Sequence, residues 1–208
     1  FCPSVVRENR ILYTVLGAFA VFGISIQIFM PYLILYYSVS LGMDDYVLVM
    51  APAIVIAAVT TVLFGKLYDR RGFRMTVLPA LALLAAGYVV LFFFRSTAPV
   101  FIGSLLMMSG YLAGMAVFGA MLRDYTPPHR AGMFQGLRIV GQVLVPGIIG
   151  PAIGAAVLRG AGTVLNGDGT TSFVPNRNIF LAALIAAVAV LPVLAAVFAL
   201  QRKEKKNA

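Results

Sequence analysis

Six runs of apolar residues, each long enough to cross a bilayer, limit what this chain can fold into. They cover about 11–37, 46–64, 75–94, 99–122, 133–158 and 179–200. A hydrocarbon core about 30 Å thick takes about 20 helical residues, and backbone in lipid must satisfy its own hydrogen bonds. An all-α membrane protein of six transmembrane helices follows: a stub at 1–10, a bundle at 11–200 and a basic tail at 201–208. Composition agrees. The chain is 61% hydrophobic and 11% charged, against about 45–50% and about 25% in soluble domains. Pro31 is expected to kink the first run, Pro52 and Pro79 fall near the starts of theirs, and Pro192 lies inside the sixth.

The bases then set an orientation. One side of the membrane collects Arg7, Arg10, Lys66, Arg70, Arg71, Arg74, Arg123, Arg130, Arg202, Lys203, Lys205 and Lys206, with Arg138 just inside it. The other side keeps Arg95, Arg159 and Arg177. Six crossings return both termini to the same side, and the positive-inside rule makes that side cytoplasmic. The net charge of +9 is explained by span ends, so nucleic acid is not an expected partner. The first apolar run is too long for the core of a cleavable signal peptide. The lone Cys2 excludes an internal disulfide framework. No metal-ligand spacing, intramembrane histidine or phosphate loop is present, so neither an enzyme nor a cofactor is expected. Asn166-Gly167-Asp168-Gly169-Thr170 is superficially like a calcium loop, but it lacks the closing Glu and reads as a solvated turn.

Between the second and third runs stands Gly65-Lys66-Leu67-Tyr68-Asp69-Arg70-Arg71-Gly72-Phe73-Arg74, closing on Leu78. Gly72 can take the positive φ that a tight connection demands. Asp69 stands where a carboxylate meets the next helix and the guanidinium groups of Arg70 and Arg74. The spacing resembles the signature loop of the major facilitator superfamily of membrane transporters, with every anchor position filled. The resemblance implies half of a twelve-helix secondary transporter, built from two inverted three-helix repeats and working by alternating access on a small organic substrate in the inner membrane. It casts Gly65, Leu67, Asp69, Arg70, Gly72 and Arg74 as a conformational lock. It also implies a missing second six-helix half or a homodimer partner. The long first span with Gln27-Ile28-Phe29-Met30-Pro31-Tyr32 looks like the seventh span of a full transporter, so a C-terminal half is expected, with an N-terminal half as the alternative. No sequence similarity between 11–94 and 99–200 displays the repeat.

Around the fifth span, Pro127-Pro128-His129-Arg130-Ala131-Gly132 followed by Gly136 is similar to the family's cytoplasmic lead-in. Gly147, Gly150, Pro151 and Gly154 are similar to its antiporter motif, with Ala155 in place of a final glycine. That leans toward efflux; ordinary helix packing through small residues is the other reading. Polar residues within spans point to a pathway, which makes Gln27, Tyr36, Tyr37, Tyr111, Arg138 and Gln142 candidates for a substrate cavity. Arg138 and Gln142 share a helix face. Arg138 either pairs with Asp69 or extends to the interface. The seven acids all lie in loops or at span ends, so a coupling group is expected elsewhere. The competing class is a membrane scaffold or isolated half-domain with no transport of its own.

Overall fold

In the computed structural model, residues 9–128, 131–165 and 169–207 are described. The expectations placed on Arg7, His129, Arg130 and positions 166–168 lie outside them. Five helices are long and apolar enough to cross a membrane: α1 Arg10–Ser40, α2 Tyr46–Phe93, α3 Thr97–Asp124, α4 Gly132–Val157 and α5 Asn178–Glu204. A short hairpin, β1 Thr163–Leu165 against β2 Thr171–Phe173, pairs antiparallel with Thr163 opposite Phe173.

The difference between six runs and five helices lies in α2. Its 48 residues would be about 72 Å long if straight, more than twice the hydrocarbon thickness. It is not straight, because Gly72 breaks it at φ 75°, ψ 178°. Contacts along α3 show the direction of each arm. After the break, Phe73 meets Phe118, Leu84 meets Gly110 and Gly87 meets Met107, so this arm runs antiparallel to α3. A straight continuation would carry Gly65 past the end of α3. Instead Gly65 shares a cavity with Ala116 and Ala120, so the chain turns back at Gly72. The expected ten-residue loop thus shrinks to one residue, with helix on both sides, and the Thr76 hydroxyl donates to the Gly72 carbonyl at 2.8 Å.

Prolines reshape the other helices without ending them. Each removes the N–H that would reach the carbonyl four residues back. Around Pro31, α1 tightens to a 3₁₀ turn at Met30–Tyr32 and then widens to a π segment at Tyr36–Ser40. Ahead of Pro146, α4 widens at Val140–Leu144. Ahead of Pro192, α5 is interrupted at Ala189, between the segments Asn178–Val188 and Val190–Asn207.

The core is aromatic and centred on α1. Phe19 stacks on Phe118 at 5.2 Å, Phe29 meets Tyr88 edge-on at 5.4 Å, and Tyr36 meets Phe180 at 4.9 Å. Small residues let the helices approach. A Cβ at Gly87 would lie 2.6 Å from the Met107 Cα, and one at Gly110 would lie 2.6 Å from the Leu84 Cα. In lipid, where apolar burial gives little preference for helix over tail, such close van der Waals contact carries the association. Buried hydroxyls add direct bonds: Ser25 donates to the Ala183 carbonyl at 2.8 Å and meets the Tyr88 hydroxyl at 3.1 Å. Tyr37 pairs with Ser104. The most apolar stretch of α3 is 56% buried and that of α1 50%, against 22% in α4 and 17% in α2. Helices α1 and α3 are therefore central, while α4 and α2 present open apolar faces.

Candidate functional site

The charged turn lies against the C-terminal end of α3. Asp69, Lys66, Arg70 and Arg71 are exposed, and the Arg74 guanidinium sits 5.3 Å over the Phe198 ring, a cation–π contact onto α5. Leu67 is half-buried. Gly65 has nothing within 4 Å of where a Cβ would stand, so close approach does not require glycine there. A cavity of about 230 Å³ opens beside the turn, lined by Gly65, Tyr68, Asp69, Ala116, Ala120 and Arg123.

Asp124 is the hub of this end. An acid at a helix C-terminus meets the negative end of the dipole and needs donors to offset that. It has them: the Tyr68 hydroxyl donates to Oδ2 at 2.7 Å, and Arg123 reaches Oδ1 at 3.3 Å. One residue on, the Tyr125 hydroxyl donates to Glu204 at 3.3 Å and accepts from the Gln201 amide at 3.5 Å, tying α5 to the same corner. Burial pushes the Tyr125 hydroxyl above its usual 10.0, and the nearby Glu204 carboxylate adds to the rise. Neither Tyr68 nor Asp124 stands out by sequence spacing; the acid at the wrong end of a helix was the available signal.

A second cavity, about 310 Å³, lies on the other side of Arg123. Leu12, Leu16, Phe134, Gln135 and Arg138 contribute to its walls. Arg138 donates from Nε to Gln142 Oε1 at 3.0 Å, and its Nη2 would lie 3.3 Å from a Cβ at Gly119. The expected contact between Arg138 and Asp69 is not formed. Arg123 lines both cavities and stands between them, and among the described residues the ion pair is Arg123–Asp124.

The remaining cavity candidates do not converge. Tyr36 is buried, donates to the Leu91 carbonyl at 3.3 Å and lines a cavity at the opposite end. Tyr37, bonded to Ser104, is buried as well. Gln27 backs onto Gly150, and Tyr111 packs on the core. The glycines of α4 divide. A Cβ at Gly150 would lie 2.8 Å from the Gln27 carbonyl carbon, and one at Gly154 2.8 Å from Tyr32 Cε2. Gly141 meets Leu16 and Gly23 meets Pro146. These four form one seam between α4 and α1. Gly147 is exposed with open space around it, and Pro151 is half-buried. Among the described residues, no group of three His, Cys, Asp or Glu is placed to hold a metal.

A family model described as the Major Facilitator Superfamily matches residues 15–208. No curated protein matches the chain.

Proposed function

Because the chain belongs to the major facilitator superfamily, and is thus a membrane transporter of that type, we propose that it forms a six-crossing half of a secondary transporter. The break at Gly72 makes α2 two crossings, so both ends of the described chain face the side that holds the charged turn. By the positive-inside rule that side is the cytoplasm, and the membrane is the inner one. The half works with a second bundle, supplied by a further six helices or by a second copy, and moves a small organic solute by alternating access. The match of the family over a chain with room for six crossings supports this reading.

The observation that carries the mechanism is the position of Arg123. Asp69 of the turn and Arg123 of α3 line one cavity, and Arg123 also borders the Arg138 cavity. A charge contact at the turn therefore bears directly on whether the Arg138 cavity is closed. In this reading Asp69 and Arg123 hold the basic end shut, and Arg138 with Gln142 presents the polar wall that a solute meets once it opens. With α2 taken as two crossings, no acid among the described residues lies in the middle of a crossing, so any coupling ion is handled outside this bundle. The small-residue seam between α4 and α1 fits an antiporter, and the direction is efflux.

The test places a cysteine at Leu12, a buried residue in the wall of the Arg138 cavity, in a chain whose Cys2 is replaced by serine. Asp69→Asn removes a charge that shares a cavity with Arg123 without pairing to it, an attraction of at most about 1 kcal/mol, the upper end for exposed charges. That is about fivefold in the population of the open state. Labelling of position 12 from the basic side should rise by up to about fivefold. An unchanged rate would refute the lock. The second reading is a bundle inert by itself. Light scattering of the purified chain decides: a dimer supports a self-sufficient pair, a monomer the inert half.

A further inference from the structure

At the end of the bundle away from the Gly72 turn, Arg95 and Arg177 line one cavity of about 360 Å³, although this end holds only three bases. Its walls also include Tyr36 and Ser40 from the end of α1, and Pro175 and Asn176 after the hairpin. The Ser40 hydroxyl donates to the Pro175 carbonyl, fastening the segment after the hairpin to α1. Arg177 is held in place as well, with its guanidinium carbon 5.2 Å over the Phe92 ring.

Two guanidinium groups line one cavity, and although both side chains are exposed, an anion bound between them would relieve their mutual repulsion. Among the described residues no acid lines the cavity, and neither arginine is in an ion pair. Topology disfavours bases at this end to begin with. The planar fork of a guanidinium matches an oxyanion two bonds at a time, which an ammonium does not do. The surroundings indicate where that oxyanion comes from. Phe93 and Phe94, directly before Arg95, are 65% and 51% exposed, and Leu181, one turn after Arg177, is 40% exposed. These are surfaces that acyl chains cover, at the depth where a helix leaves the hydrocarbon.

We propose that this cavity binds the phosphate of an anionic phospholipid headgroup between Arg95 and Arg177. The assignment is independent of the transport mechanism. The full chain is purified into mixed micelles of phosphatidylglycerol and phosphatidylcholine, and retained lipid is counted by native mass spectrometry. One tightly retained phosphatidylglycerol is expected. The Arg95→Gln/Arg177→Gln variant should weaken its retention at least tenfold, while Arg159→Gln, at the same end but outside the cavity, should leave it unchanged. Arg95→Lys/Arg177→Lys keeps both charges without the forks and should give an intermediate loss, which separates binding from misfolding when helical content and elution match the parent. Equal retention by parent and double Gln variant, or equal loss in Arg159→Gln, overturns the site. Inorganic phosphate is titrated into lipid-depleted protein as a separate probe. If it binds with the same arginine dependence and phosphatidylglycerol is not retained, the anion is a free solute and the lipid assignment falls.

Discussion

Replacing Gly72 by alanine tests the turn on which the fold depends. Gly72 adopts φ 75°, ψ 178°, a region that is essentially restricted to glycine and costs other residues about 1–3 kcal/mol. Nothing lies within 4 Å of the added Cβ, so packing contributes no clash and the whole penalty is backbone strain. Gly65 supplies the control. It stands seven residues away at the same end, in helix, also with nothing near its Cβ. Alanine there should stabilise by about 0.4–1 kcal/mol by restricting the unfolded chain. The two variants should thus differ by about 1.5–4 kcal/mol. For a chain of 208 residues, about 2–4 °C of melting temperature per kcal/mol makes this a gap of several degrees. Thermal unfolding in detergent, followed by loss of the monodisperse elution peak, reads it. Equal melting of Gly72→Ala and Gly65→Ala would refute the reasoning, because it would mean that the chain does not turn at Gly72 as described.

Gly87→Ala and Gly110→Ala push a methyl into the backbone of Met107 and Leu84, which cannot rotate away, so each should cost about 1–3 kcal/mol; Gly147→Ala, in helix and in open space like Gly65, should stabilise by about 0.4–1 kcal/mol in the same melt. Tyr68→Phe removes the donor of a 2.7 Å bond and Asp124→Ala its acceptor. Their effects should be about 1 kcal/mol each and clearly less than additive in a double-mutant cycle. Tyr125 has its hydroxyl raised above 10.0, so its stabilising contribution is complete below pH 10 and is lost as pH rises through the folded value. Tyr125→Phe should accordingly melt with a shallower fall above pH 10 than the parent. Arg138→Ala should lower transport in reconstituted vesicles with little change in melting, and full transport would remove Arg138 from the pathway.

Much of the fold was legible because lipid restricts the options. Apolar runs gave the helices within a few residues, and the Gly-rich charged segment gave the turn, since only glycine relieves a positive φ at that spot. The detail inside the helices was less legible. Pro31 was singled out and Pro146 was not, and whether the freed carbonyls end a helix or widen it depends on neighbours such as Gly23, which faces Pro146. The site was the hardest part. Tyr68 and Asp124 are 56 residues apart, and no local spacing announces their bond. Arg138 was given two destinations, Asp69 or the interface; in the structure it bonds Gln142 and not Asp69, and Arg123 lines the cavities of both. Tyr36 was a cavity candidate because it is polar, and it lines a cavity at the end away from Arg138, which the sequence of α1 does not say. Arg95 and Arg177 were counted as minority bases, and their convergence follows from tertiary packing of α1, α2 and the segment after the hairpin.

The central claim is that α2 crosses the membrane twice, which places the charged turn and the basic tail together on the cytoplasmic side. Single cysteines at Arg71, Thr163 and Lys206, each in a Cys2→Ser background, are exposed to an impermeant maleimide from outside intact cells. The account predicts labelling at 163 alone, with 71 and 206 reacting only after the membrane is opened. Labelling of 206 from outside with 163 protected, as five crossings would give, would contradict it.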